Sequence, residues 1–163
     1  MKKFYLILSA VFLLCVFACG GGSSHSSGYG SGVVNYDEIE IYPSDASGDH
    51  SDYPDRAIDG NEETYCNVYD PIFSGDLAVE FAGEDNGAIK EQEFWALLHG
   101  NGGDVTIKEI GGTVLGTVNP PVKGWYCFRS DSTDWALGIR FVCDGGEQLM
   151  VYDVYKIITY EVW

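Results

Sequence analysis

The chain has 163 residues, 45% of them hydrophobic and 14% aromatic, with 25 acidic side chains against 9 basic ones and a formal charge of −16. That length holds one core and excludes a large multidomain enzyme, while four Trp, eleven Tyr and eight Phe exclude an acidic disordered chain. The acid excess also excludes nucleic acid as a partner, since binding it needs clustered cations that release counterions, and an anionic membrane surface would repel the domain equally.

At the N-terminus Lys2 and Lys3 precede Phe4 to Ala18, a run of 15 residues whose only polar member is Ser9. A bilayer span needs about 20 apolar residues. The basic start, short apolar middle and small final residue predict an exported, cleaved signal over 1–18. Val16-Phe17-Ala18-Cys19 resembles the bacterial lipobox, in which the Cys is diacylated and begins the mature chain; an ordinary signal cut near Ala18 is the alternative. The lipobox resemblance implies a cell-envelope protein held in a lipid bilayer through acylated Cys19. Gly20 after it resembles an outer-membrane sorting signal, should the source be Gram-negative. Residues 19–32 are almost wholly Gly and Ser and predict a flexible tether. Without residues 1–18 the chain has 7 basic and 25 acidic side chains, so its charge is −18, all of it from Val33 onward.

From Val33 the apolar residues alternate at period two, with Gly, Asn, Asp and Ser clusters between runs, which is the pattern of strands. In chain order the runs are Glu38 to Tyr42, Leu77 to Phe81, Glu93 to Leu98, Val105 to Ile110, Thr113 to Val118, Gly124 to Phe128, Leu137 to Val142, Leu149 to Tyr152 and Tyr155 to Trp163. Only Asp55 to Ile58 or Ala88 to Phe94 could hold a helical turn. Gly111-Gly112 and Gly145-Gly146 predict tight turns between neighbouring strands. Many short strands with frequent turns predict an all-β domain over 33–163, a jelly-roll β-sandwich.

Within it, Pro43 to Ser47, then Arg56 to Tyr65, then the strand Leu77 to Phe81 resemble the opening of the coagulation factor 5/8 type C family, the discoidin domains. They are also similar to family 32-type carbohydrate-binding modules of the same galactose-binding-like fold. The shared core is Ala57, Asp59, Gly60 and Thr64 followed by an aromatic residue. Two departures stand out: Cys66 occupies the place where the family usually has Trp, and no Cys sits at either end of the domain. The resemblance implies a structural calcium ion, bound by backbone carbonyls with Arg56 in the set, by side chains of Asp59, Asn61 and Thr64, and by a residue of the last strand. Glu161 fills that last place in one alignment and Thr159 in another. Oxygen donors on a tight loop are what calcium takes; the plainer reading is that Asp59-Gly60-Asn61 is a β-turn with Asp bonding to its own backbone.

The resemblance also implies ligand binding at one rim of the sandwich. The candidates are His50 and Tyr53 in the first loop, and Arg129 and Trp135 in a loop running from Arg129 to Trp135, with Trp135 alternatively a core residue. Of the thiols left after Cys19, Cys127 and Cys143 lie in or beside successive strand runs and are the expected disulfide in an oxidising envelope, leaving Cys66 buried. The spacings include no C-x-x-C, against a metal site, and no nucleophile, phosphate-loop or zinc-protease motif occurs. The acid pairs Glu62-Glu63, Glu84-Asp85 and Asp131 with Asp134 are expected by chance among 25 acids. The sequence therefore predicts a non-catalytic binding module for carbohydrate or glycoconjugate. A structural lipoprotein docking another envelope protein is the alternative, and a small glycosidase stands behind both.

Overall fold

A computed structural model of the protein describes residues 35–83 and 88–162. The signal segment 1–18, the lipidation at Cys19, the tether to residue 32 and the pair Glu84-Asp85 lie outside the described residues. The elements are β1 (Asn35–Ile41), β2 (Asp45–Ser47), β3 (Ser51–Asp52), a 3-10 turn (Pro54–Ala57), β4 (Cys66–Tyr69), β5 (Gly75–Glu80), β6 (Ala88–Gly100), β7 (Val105–Glu109), β8 (Val114–Val118), β9 (Gly124–Ser130), β10 (Gly138–Cys143) and β11 (Gln148–Val162). They form two antiparallel sheets. One runs β3-β4-β11-β6-β9 with β1 also on β11, and the other runs β2-β5-β10-β7-β8. The all-β sandwich expected from the periodicity is the fold observed.

Strand β11 frames the first sheet. Its first residues pair with β4 and its last with β1, while β6 lies along its other side. The pairing with β6 slips between Val151 and Asp153, so Tyr152 is one residue in excess, a bulge that turns the alternation over. Two separate strands, Leu149 to Tyr152 and Tyr155 to Trp163, were expected here; they are one, because the bulge breaks the period that a sequence reading follows. The strands β2, β3 and β4 had no counterpart among the expected runs, since two to four residues are too few to display an alternation. Ala88 to Phe94 is not helical but the start of β6. Arg129, expected in a loop, lies within β9. The 3-10 turn at Pro54–Ala57 and the positive-φ turn at Gly112, which joins the paired strands β7 and β8, agree with expectation; the positive-φ turn at Gly146 instead crosses from β10 in the second sheet to β11 in the first, so it does not join neighbouring strands.

The core fills with one face of each strand: Phe94, Ala96 and Leu98 of β6, Val154, Ile158 and Tyr160 of β11, Leu77 and Val79 of β5, and Ile139 and Phe141 of β10 are all buried. Each such side chain contributes about 1.5–3 kcal/mol. Within the second sheet the paired strands β5 and β10 approach so closely here that a Cβ on Gly138 would strike the Val79 carbonyl, which explains the glycine at the start of β10.

One inward residue is a cation. Lys156 is fully buried; its ammonium donates to the Ala136 carbonyl at 2.7 Å and sits 3.8 Å from the Trp135 ring centroid and 5.2 Å from that of Phe94. Gln92, also buried, anchors the same segment, donating to the carbonyls of Ser132 and Asp134 and accepting from the Ala136 amide. Burial brings the Lys156 pKa down from 10.5 to about 7, with Glu109 pulling the other way. Burial likewise pushes the thiols of Cys66 and Cys143 up to about 12.

These shifts fix a pH dependence. Below pH 7 Lys156 is protonated folded or unfolded; above it the unfolded chain holds one more proton, so stability rises with a slope approaching about 1.4 kcal/mol per pH unit. Above roughly pH 8.5 the unfolded thiols ionise while the buried ones do not, and two such groups outweigh the lysine. Urea unfolding between pH 6.5 and 10 should therefore show stability climbing to about pH 8.5 and then falling. Lys156→Met should erase the climb and keep the fall; a climb of the same slope in that variant would refute the assignment.

Candidate functional site

The outward face of the first sheet carries the residues that alternate with the core: Trp125, Cys127 and Arg129 of β9, Glu91, Glu93, Trp95 and Leu97 of β6, and Asp153 and Tyr155 of β11. Trp95 and Tyr155 are cross-strand partners whose rings lie parallel, 2° apart in plane with centroids at 6.2 Å. Trp125 meets Tyr155 edge-on at 5.2 Å and is 39% exposed. Tyr42, just past β1 and 65% exposed, completes the row; the Glu40 carboxylate that accepts its hydroxyl, with Asp153 and Tyr155 adding, holds its pKa above the usual range. Adjacent strands lie about 4.8 Å apart, so the row crosses roughly 14 Å of sheet from β1 to β9. Leu97 and Tyr152 are buried on this outer face, apart from the main core, and Leu97 is the cross-strand partner of Trp125.

Polar groups at the row's side are locked. The Trp95 indole donates to Glu93 at 3.0 Å, and Arg129 donates to the same carboxylate through Nε at 2.8 Å and a terminal nitrogen at 2.8 Å, with Glu91 at 3.4 Å. The ring orientation of Trp95 is thus fixed before any ligand arrives. Flat aromatic faces with electron-rich surfaces, ringed by charged acceptors and donors, can stack on the C–H face of a sugar and bond its hydroxyls.

A separate cleft of about 350 Å³ lies at the end of this sheet, lined by Asp52, Tyr53, Arg56, Glu63, Tyr65 and Asn67, among others. Tyr53 takes a left-handed backbone, φ 58, rare for a residue with a Cβ, and the Arg56 guanidinium lies 4.1 Å from its ring centroid.

The expected site residues fall in different places. Tyr53 and Arg56 share the cleft. His50 turns away from it, bonding Asp70 at 2.8 Å and stacking on Phe73; the amides of Phe73 and Ile72, with His50 adding, hold the Asp70 carboxyl below its usual range. Arg129 flanks the aromatic row. Trp135 packs against the core beneath Lys156, its indole N–H buried and without a hydrogen-bond partner among the described residues. Asp59, Asn61 and Thr64 come together in one loop: Asp59 accepts from the Asn61 amide and the Thr64 hydroxyl, and Asn61 accepts from the Glu63 amide. Glu161 is not brought to them. It pairs with Tyr36 and Ala88 at the far end of β11, whereas the β11 acid that feels the charge of Glu62 and Asp59 is Asp153, its pKa raised first by burial. Among the described residues no group of three or more His, Cys, Asp or Glu side chains is arranged to hold a metal ion.

The expected disulfide is absent. Cys66, Cys127 and Cys143 are all free. Cys127 points outward from β9 in the first sheet while Cys143 is buried on β10 of the second, so strand alternation sends the two thiols to opposite sides of the first sheet. Sequence reasoning also missed Trp95, Trp125 and Tyr155. Their only signal was an aromatic on the face of each run opposite its aliphatic residues.

No protein-family model matches the sequence, and no curated protein matches it. Solved structures do share its fold. A carbohydrate binding module of family 29 is 11% identical, with 76% of this chain and 90% of that one covered at a TM-score of 0.50. A point mutant of a family 29 module gives the same identity and score with 76% and 92% covered. A truncated AlyQ with CBM32 and alginate lyase domains is 11% identical over 79% of this chain and 35% of that one, at 0.48.

Thiol chemistry checks the placement of the cysteines. A chain begun at Val33 keeps three thiols; in the native state an aromatic disulfide reagent at pH 8 should titrate one of them, Cys127, and all three only after denaturation. Native protection of Cys127 that a reductant removes would contradict the arrangement.

Proposed function

We propose that the protein is a non-catalytic binding module of the cell envelope, held to a membrane through Cys19, which binds a neutral glycan chain along the aromatic row of its first sheet. The observation that carries this reading is the row itself: Trp95 and Tyr155 with parallel planes, Trp125 edge-on to Tyr155, and Trp95 pinned by Glu93, which Arg129 holds in turn. Rings left at a surface in fixed orientation are kept for a ligand, since a folding chain gains more by burying them. The structures of similar fold include modules named for carbohydrate binding, which supports the ligand class. The charge of −18 beyond the signal segment favours an uncharged chain over an anionic one.

A second reading, docking of another envelope protein, rests on one observation. Ile72 and Phe73 stand 76% and 64% exposed in the segment after β4, an apolar tip separate from the row.

Intrinsic Trp fluorescence should change on titration with at least one neutral hexasaccharide from a panel of β-gluco, manno and xylo chains. Tyr155→Ala or Trp95→Ala should weaken that binding tenfold or more, because losing the burial of one aromatic face costs about 1.5–3 kcal/mol. Equal binding by the variants would overturn the site.

The calcium reading belongs to the same proposal: Asp59, Asn61 and Thr64 would hold the ion, with Asp153 the carboxylate that β11 offers on that side. Saturating calcium should then raise the melting temperature by several degrees over chelator, and Asp59→Ala should abolish the rise. An unchanged melt would reduce the loop to a turn.

A further inference from the structure

We propose that the cleft beside the 3-10 turn is a second sugar site, one that takes a single neutral ring at a chain end, independently of the aromatic row. This rests on the carbohydrate reading above but not on the row. Four features converge on the cleft. The Arg56 guanidinium makes no hydrogen bond or ion pair among the described residues and lies over the face of Tyr53, which leaves its five N–H donors unspent. Tyr53 is kept in the left-handed region although no glycine relieves it, a conformation that structures tend to hold where function requires it. Tyr65 presents one side to the cleft and leans on Tyr152 with centroids 5.3 Å apart, so its ring is backed. Asn67 and Gln148 bond to each other at 2.6 Å through one amide group each, which fixes both side chains and leaves the Asn67 donors and the Gln148 acceptor facing a polar cavity.

The mixture of groups selects the ligand. Arg56 and Asn67 donate, Asp52, Glu63 and Gln148 accept, and every sugar hydroxyl does both. A carboxylated sugar would meet Asp52 and Glu63 at the same rim. Lys123 sets the limit on length. Its ammonium donates to the Glu62 carbonyl and lies 3.9 Å from the Tyr152 ring centroid, tying the start of β9 to the loop that carries Glu63 and Tyr65. A glycan continuing past Tyr65 over Tyr152 would meet this tie, so the cleft suits a terminal ring rather than a chain interior.

Saturation-transfer NMR on the full chain tests this with free glucose, mannose, galactose, N-acetylglucosamine and glucuronate as probes. At least one neutral monosaccharide should receive saturation from the parent and equally from Trp95→Ala, and the signal should fall at least fivefold in Arg56→Gln and in Tyr65→Ala. Both of those side chains are exposed, so the two variants should keep the parent's melting temperature. Glucuronate should give no signal. The proposal is overturned if no monosaccharide responds, if the response survives Arg56→Gln and Tyr65→Ala, or if glucuronate is preferred. Loss of the signal in Trp95→Ala alone would place all sugar binding at the row. Failure at the cleft with hexasaccharide binding intact separates this proposal from the functional reading, which fails if no hexasaccharide binds or if Trp95→Ala and Tyr155→Ala bind it as well as the parent.

Discussion

The bulge at Tyr152 is the constraint on which the rest of the structure turns. Before it, β11 sends Leu149 and Val151 into the core; after it, Val154, Lys156, Ile158 and Tyr160 point inward. One residue fewer would exchange the faces of the second half of the strand. Tyr155 would then enter the sandwich and leave the aromatic row, and Lys156 would leave its place over Trp135. The extra residue is itself useful, since Tyr152 is buried on the outer face, where it supports Tyr65 and receives Lys123. A single insertion in one ladder thus sets the outer aromatic surface and the inner packing together.

The two faces of β11 are held by different physics. Inward, a lysine is tolerated because the carbonyl of Ala136 and the Trp135 ring replace part of its hydration. The 131–137 segment that supplies both groups is fastened in turn by Gln92. Outward, the aromatic rings are fastened by charge: Glu93 takes the Trp95 indole and the Arg129 guanidinium at once. Such pairs add little stability at an exposed surface, but they fix rotamers, and fixed rotamers lower the entropy cost of taking up a ligand. The surface is spent on orientation rather than on folding.

How much of this could be read from the residues depended on length. Strands of five residues or more, such as β5, β7 and β10, announce themselves by alternation. The three short strands near the 3-10 turn do not, and two of them, β3 and β4, bring Asp52 and Asn67 to the cleft. The loop from Asp59 to Thr64 was legible because its hydrogen bonds are local. The relation between Cys127 and Cys143 was not, since neighbouring positions in chain order say nothing about which sheet a strand joins. The aromatic row was illegible for a similar reason: Trp95, Trp125 and Tyr155 are far apart in sequence and become a surface only when β9, β6 and β11 pair in one register. Tyr53 was named from its place in the first loop and Arg56 only as a member of the calcium set, and both line the cleft, whereas His50, three residues before Tyr53, is drawn away by Asp70.

The central claim is that the outward face of the first sheet receives a glycan on Trp95, Tyr155 and Trp125. A crystal structure of the domain grown with a hexasaccharide that changes its fluorescence tests this most directly. The account predicts sugar rings stacked parallel to the Trp95 and Tyr155 planes, with hydroxyls bonded to Glu93 or Arg129 and the Trp95 ring unmoved. Sugar density confined to another surface, with the row open to solvent at saturating ligand, would contradict it.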